Sequence, residues 1–296
     1  MSSPNACGCM ALLLGAAAQH FHPAAPQTAL SPARLRMAIE NTAKFQSVDQ
    51  VDRLGQHFGL LQVEAAWEHI VSGMDDKSID IPLKISVNSQ RFKRGIYLRQ
   101  ASEMKAAETF QVTVSPLFHE DATADTKIAY QTRVHVRSSA TWVTCPEYLL
   151  IAQAGKMMRV TVDPTKLTPG RHYVEFVRGY DESNVSKGPV FEVPITVIVP
   201  EEIPPFMQQY RMGVLTLPVT ERLRKFLVPP PGCTFIDVHV VDQRLSDASE
   251  HPEDIQSPSN EEGSFVDASS QMIVLHALQL MPGQSYRDNE KEVGVM

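Results

Sequence analysis

Cysteine is scarce in this chain, long apolar runs are missing and Lys and Arg form no long run, and each absence removes a class of protein. Cys7, Cys9, Cys145 and Cys233 form no dense framework, and a chain of 296 residues can bury a core without covalent staples. Free thiols in a reducing, cytoplasmic compartment are the simpler expectation, with a disulfide as the alternative. No apolar stretch approaches the roughly 20 residues that a membrane-spanning helix needs, so no membrane partner is expected. A formal net charge of −7 without a basic run argues against nucleic-acid binding driven by general electrostatics. The run from Ala11 to Ala18 resembles the apolar core of a secretory signal, yet no Lys or Arg precedes it, as signals usually require.

What is present is ordinary globular material, 43% apolar and 21% charged, long enough for two or three domains. The first third reads as helical. Ser3 and Pro4 suit the cap and first turn of an Ala/Leu-rich helix running to about Gly15. Ser31 and Pro32 start a second helix, with Leu35, Ala38, Ile39 and Thr42 as its buried stripe. A third is expected over residues 63–71, after a short connection at 59–63. Beyond Ser72 and Gly73 helical spacing gives way to period-two alternation, placing a domain boundary near residue 75.

Ile128, Tyr130, Thr132, Val134 and Val136 alternate, as do Phe191, Val193, Ile195, Val197 and Val199. Shorter strand candidates lie at 111–114, 142–145, 158–162 and 173–177. Short strands punctuated by Gly, Pro, Asp and Asn predict a two-sheet sandwich of immunoglobulin or fibronectin type over 79–200. Leu167, Pro169, Gly170 and Tyr173 have the spacing of a tyrosine corner, and Pro194 implies an edge position or a bulge. After the proline-rich stretch 200–205, strands are expected at 213–219, 234–241 and 272–280. These form a partial second β domain over 206–296, with a flexible acidic insertion at 242–260.

Met1-Ser2-Ser3-Pro4-Asn5-Ala6-Cys7-Gly8 resembles the segment just after the nucleophile in subtilisin-like serine peptidases, where Gly-Thr-Ser-Met-x-x-Pro leads into a buried helix. Further segments resemble the tripeptidyl-peptidase II family in order: Glu40-Asn41-Thr42-Ala43, Arg94-Gly95-Ile96-Tyr97-Leu98-Arg99, Trp142-Val143 with Cys145-Pro146, and Val162-Asp163-Pro164. Gly170 with His172-Tyr173, Gly179-Tyr180-Asp181, Gly188-Pro189-Val190-Phe191 and Val193-Pro194-Ile195-Thr196 continue the series. Cys9 stands where the family usually has a second glycine, and His57-Phe58 where it has Gly-His.

The resemblance implies a mixed α and β, multidomain chain. Residues 1–74 would be the C-terminal helical remnant of a subtilisin-like α/β domain, succeeded by the sandwich and an incomplete β domain. The apolar run near the start would then be that domain's central helix. The family's Asp, His, Asn and Ser machinery would lie before Met1, so this chain is expected to be a fragment of an exopeptidase that releases tripeptides from free amino termini, inactive alone. The alternative is a noncatalytic β-sandwich interaction or assembly module. Peptide substrates and homo-oligomer partners are implied for the complete enzyme only.

No catalytic, cofactor-binding or metal residues are therefore assigned, and no cofactor is expected. Ser2 and Ser3 adjoin the implied nucleophile, but each helical residue turns the side chain by about 100°, so neither inherits its direction. Cys7 and Cys9 with His20 and His22 lack a Cys-x-x-Cys knuckle. His119, His135, His172, His239 and His276 are scattered, and Asp163 and Asp181 are read as turn carboxylates.

Overall fold

Alternation of apolar side chains along short strands is satisfied here by two sheets closing on one another. The computed structural model describes residues 2–21, 30–45, 57–90, 92–207, 209–216, 223–241, 273–278 and 290–295. The chain divides into two compact units, residues 1–230 and 231–296.

The first unit begins with helices α1 (Ser2–His20), α2 (Pro32–Thr42) and α3 (Val63–Ser72). Helix α2 starts as its sequence requires: the Ser31 hydroxyl accepts from Arg34 N at 3.2 Å, and Pro32 fills the first position. Ala38 and Ala66 are fully buried, so small side chains let α2 and α3 approach closely, and Leu13 and Ile70 complete the cluster. Helix α1 runs past the expected end at Gly15 to His20, because alanines and Gln19 sustain the helix beyond that single glycine. Its first residue is Ser2, so Ser3 lies inside the first turn and does not cap it.

The sandwich comes next. One sheet has the order β1-β3-β7-β5, formed by β1 (Leu83–Val87), β3 (Glu108–Pro116), β5 (Val143–Thr144) and β7 (Lys156–Val162), all antiparallel. The other has the order β2-β9-β8-β4-β6, from β2 (Ile96–Leu98), β4 (Gln131–Arg137), β6 (Tyr148–Ala152), β8 (Arg171–Asp181) and β9 (Pro189–Val199). Its β2–β9 pair is parallel. Val87, Val112, Val114 and Val160 of the first sheet and Val134, Ile151, Val193 and Ile195 of the second share one apolar core. The expected corner is formed: the Tyr173 hydroxyl accepts from Thr168 N at 3.0 Å and donates to Thr168 O at 3.3 Å.

The alternation from Ile128 misleads at its start. Residues Ala124–Ala129 form a short helix, α4, capped by Thr123, and the strand begins only at Gln131. Pro194 sits inside an interior strand, neither on an edge strand nor at the sheet's bulge. It is tolerated because β2 covers only Ile195, Thr196 and Val197, leaving no ladder on that flank at Pro194, against which Gly95 packs. The one register shift between β8 and β9 falls at Gly179, where a Cβ would collide with the Phe191 ring. Two short strands, β10 (Glu201–Glu202) and β11 (Leu227–Val228), pair in parallel within this unit.

In the second unit β12 (Ile273–Leu278) pairs antiparallel with β13 (Glu290–Val295). Residues 234–241, expected as a strand, are irregular. Phe235, Ile236, Val238 and Val241 remain exposed there, because alternation yields a strand only where a neighbour accepts its hydrogen bonds. Residues 213–216 of the first unit are irregular for the same reason. The remainder of the 213–219 expectation and the insertion at 242–260 lie outside the described residues.

Candidate functional site

The most concentrated chemistry lies where the helices meet the sandwich, and it is ionic. Lys187 is only 4% exposed although its neighbours Ser183, Asn184 and Ser186 read as a surface loop. Its ammonium spends all three donors: on Asp181 Oδ2, on Ser78 Oγ at 2.8 Å and on Asp76 Oδ2 at 3.1 Å. Ser78 Oγ donates in turn to Asp76 Oδ1. Asp181, at the end of β8, also accepts from Ser183 N at 2.9 Å and Ser183 Oγ at 2.7 Å.

Burial alone would raise the Asp76 carboxyl. Hydrogen bonds from Ser78 and Lys187 and the charge of Lys187 outweigh it and hold Asp76 at about 2. Asp181 is also lowered: burial works against it, but bonds from Lys187 and Ser183 prevail. The Tyr130 phenol beside them is pushed up to about 12, by burial first and then by the Asp181 charge, so it stays protonated.

A second ion pair braces the same turn. Arg34, 5% exposed, forks onto Asp80 with Nε at 2.9 Å and Nη2 at 3.0 Å. Its remaining donors reach the carbonyls of Gly73, Met74 and Asp76. The loop backbone closes the junction: Asn41 Nδ2 donates to Lys187 O at 2.7 Å and Pro189 O at 3.2 Å, and His69 Nε2 donates to Lys187 O at 2.8 Å. Gly188, at φ 78, packs against the Asn41 amide where a Cβ would clash. The charged groups here are paired within the network, so the arrangement joins two layers and leaves no activated nucleophile among them.

The residues weighed from sequence do not converge. Cys7 is exposed and Cys9 half-buried on α1, while the His20 ring stacks edge-on against Phe21 at 5.1 Å and Trp67 at 5.4 Å; His22 lies outside the described residues. His119 contacts Asp121 at the surface, His135 stacks on Tyr148, His172 is buried against Phe226, His239 lies in the irregular stretch and His276 on β12. Asp163 accepts from Thr165 in its turn. Cys145 is half-buried, and burial pushes its thiol up, away from the reactive thiolate. Among the described residues no three His, Cys, Asp or Glu side chains gather as a metal site requires. No described helix is long and apolar enough to cross a membrane.

Residues 81–198, which hold the sandwich, match the family described as "Tripeptidyl-peptidase II, first Ig-like domain". A crystal structure of tripeptidyl peptidase 2 (TPP II) superposes with a TM-score of 0.61 at 32% identity, over 70% of this chain and 16% of that one. The chain belongs to the tripeptidyl-peptidase II family. Tripeptidyl-peptidase 2 of Arabidopsis thaliana is 31% identical over 244 residues, covering 80% of this chain and 17% of the relative. The Drosophila melanogaster protein is 30% identical over 301 residues, covering 98% of this chain and 19% of its own length. The chain thus spans under a fifth of the tripeptidyl-peptidase II relatives it matches, and that portion contains the Ig-like sandwich with its ionic junction.

Arg34, Asp76, Asp80 and Lys187 carry little mark of their role in the sequence. The signal available is weak: charged residues within a helical stripe and polar turns, where the solvated reading ordinarily holds.

Proposed function

We propose that this chain is a noncatalytic structural arm of a tripeptidyl-peptidase II type serine exopeptidase, an enzyme that removes tripeptides from the free amino termini of oligopeptides. In this reading residues before 75 belong to a subtilisin-like catalytic domain, and the sandwich behind them is clamped to it. The carrying observation is that helix residues bond across the junction: Arg34 to Asp80, and Asn41 and His69 to the carbonyl of Lys187, whose ammonium is held by Asp76 and Asp181. Bonds so fully satisfied fix one layer on the other; they perform no proton transfer of their own. The cytoplasm and a homo-oligomeric complete enzyme are the setting that this reading carries. The purified chain is expected to leave a tripeptide reporter with a free amino terminus intact. Turnover that a serine-directed inhibitor abolishes overturns the proposal.

A further inference from the structure

Strand β6 closes one side of the second sheet. It pairs with β4, Val134 opposite Leu149 and Arg133 opposite Leu150, and among the described residues no strand extends the sheet beyond it. We propose that β6 pairs antiparallel with β6 of a second copy of this chain, about a two-fold axis at Leu150, joining the two five-stranded sheets into one. The pairing uses the sandwich alone and needs neither the helices nor a catalytic domain.

The backbone of β6 faces two ways. Val136 N donates to Glu147 O at 2.7 Å, which makes these two residues a hydrogen-bonded pair of the antiparallel ladder. Such pairs alternate, so Leu149 and Ile151 also turn their backbone groups to β4, while Tyr148, Leu150 and Ala152 turn theirs outward. Arg133, opposite Leu150, obeys the same alternation: its carbonyl accepts from Glu182 N at 3.1 Å, on the flank of β4 away from β6. Tyr148, Leu150 and Ala152 therefore offer a row of donors and acceptors that only another strand or water can take.

The other edges of the sandwich are guarded. Strands β2 and β5 are three and two residues long, and β1 carries Lys84. Strand β6 reads Tyr-Leu-Leu-Ile-Ala, without a charge, proline or glycine. Tyr148 is 46% and Leu150 50% exposed, so apolar side chains border the open backbone. An edge of this composition is a template for strand addition, and the guards on its neighbours are the ones it lacks.

The strand that fits this edge is its own copy. With Leu150 opposite itself, Tyr148 meets Ala152 of the other copy, large against small, and every outward N–H and C=O of β6 finds a partner. A slip one way sets Ala152 opposite Pro146, which has no N–H to give. A slip the other way sets Tyr148 opposite Ala154, in the turn after the strand. Charge does not oppose the symmetric register. Glu147 falls opposite Gln153, so the two Glu147 carboxylates lie about 20 Å apart along the paired strands, well beyond the roughly 8 Å screening length at physiological salt.

The test is analytical ultracentrifugation of the full chain beside L150K and L150E, two changes at a half-exposed side chain, with melting curves confirming that both variants fold. The unaltered chain is expected to form a reversible dimer with a Kd of roughly 10–100 µM, since pairing one short edge buries less than a standard interface. Each variant alone should dimerise at least about tenfold more weakly, because residue 150 then meets its own charge across the axis, Cα atoms about 5.5 Å apart. An equimolar mixture of L150K and L150E at low salt should recover association to within severalfold of the unaltered chain, because opposite charges then meet. A monomer up to about 1 mM, variants that associate as the unaltered chain does, or a mixture no stronger than either variant alone would overturn the proposal. Association through the exposed face of α1 gives the second of these results, since neither charge lies on that helix. All three leave the noncatalytic arm standing, which the tripeptide reporter tests separately.

Discussion

The sandwich and the helical layer are joined in one unit yet keep their apolar residues in opposite ways. In the sandwich, Val112, Val134, Val160, Ile195 and their neighbours are sealed between sheets that the same strands supply. In α1, Leu13 and Ala17 are buried, while Met10 and Leu14 are exposed and Leu12 is 65% exposed. Equal hydrophobicity therefore does not mean equal stabilisation: area removed from water counts, and α1 removes little. Between the two lies the ionic junction, whose weight rests on completeness. A buried pair adds little when whole and costs much when halved.

The comparison breaks most sharply at the junction. Lys187→Met leaves Asp181 and Asp76 buried without their cation and is expected to destabilise the first unit by about 3–5 kcal/mol in chemical denaturation. A loss below about 1 kcal/mol would show that the carboxylates hydrate and that the layers are not clamped here.

Next, Ile195→Ala within the core is expected to cost about 2–4 kcal/mol, and Leu12→Ala on α1 no more than about 0.5 kcal/mol. Similar losses at both sites, measured by the shift in denaturant midpoint, would erase the contrast between the regions.

Acid should reach the junction before the core. The Asp76 carboxyl is held at about 2, below its ordinary value of 3.8, and Asp181 is likewise lowered. A depressed acid stabilises the fold above its unfolded value and loses that contribution as pH falls through the folded one. Stability is therefore expected to drop between about pH 4 and pH 2, with Asp76 contributing at most about 2 kcal/mol after allowance for its partial exposure. Asp76→Asn should flatten that acid limb, and an unchanged profile would remove Asp76 from the account.

The smallest effect belongs to the tyrosine corner, where Tyr173→Phe removes a hydroxyl bonded to the Thr168 backbone. A cost of about 1 kcal/mol is expected in thermal melts, with the spectrum of the folded sandwich unchanged.

These regions also differ in how much the sequence disclosed. The Ser31-Pro32 start, the alternation from Phe191 to Val199 and the Tyr173 spacing act through neighbours in the chain, and each is realised. Alternation alone fails where it lacks a partner: residues 234–241 alternate without forming a strand, and Ile128 belongs to a helix capped by Thr123. Lys187 is illegible for a related reason, since a lysine among Ser and Asn has no local mark of burial; Asp76, 111 positions away, is what buries it.

The order of side chains along the chain was enough to determine the capped start of α2, a two-sheet sandwich and the family they belong to, because each rests on short-range spacing. Which charges are withdrawn from water and which helix keeps an apolar face exposed were decided only by the tertiary structure. Solvation and pairing depend on neighbours in space, and residues remote in sequence supply those neighbours.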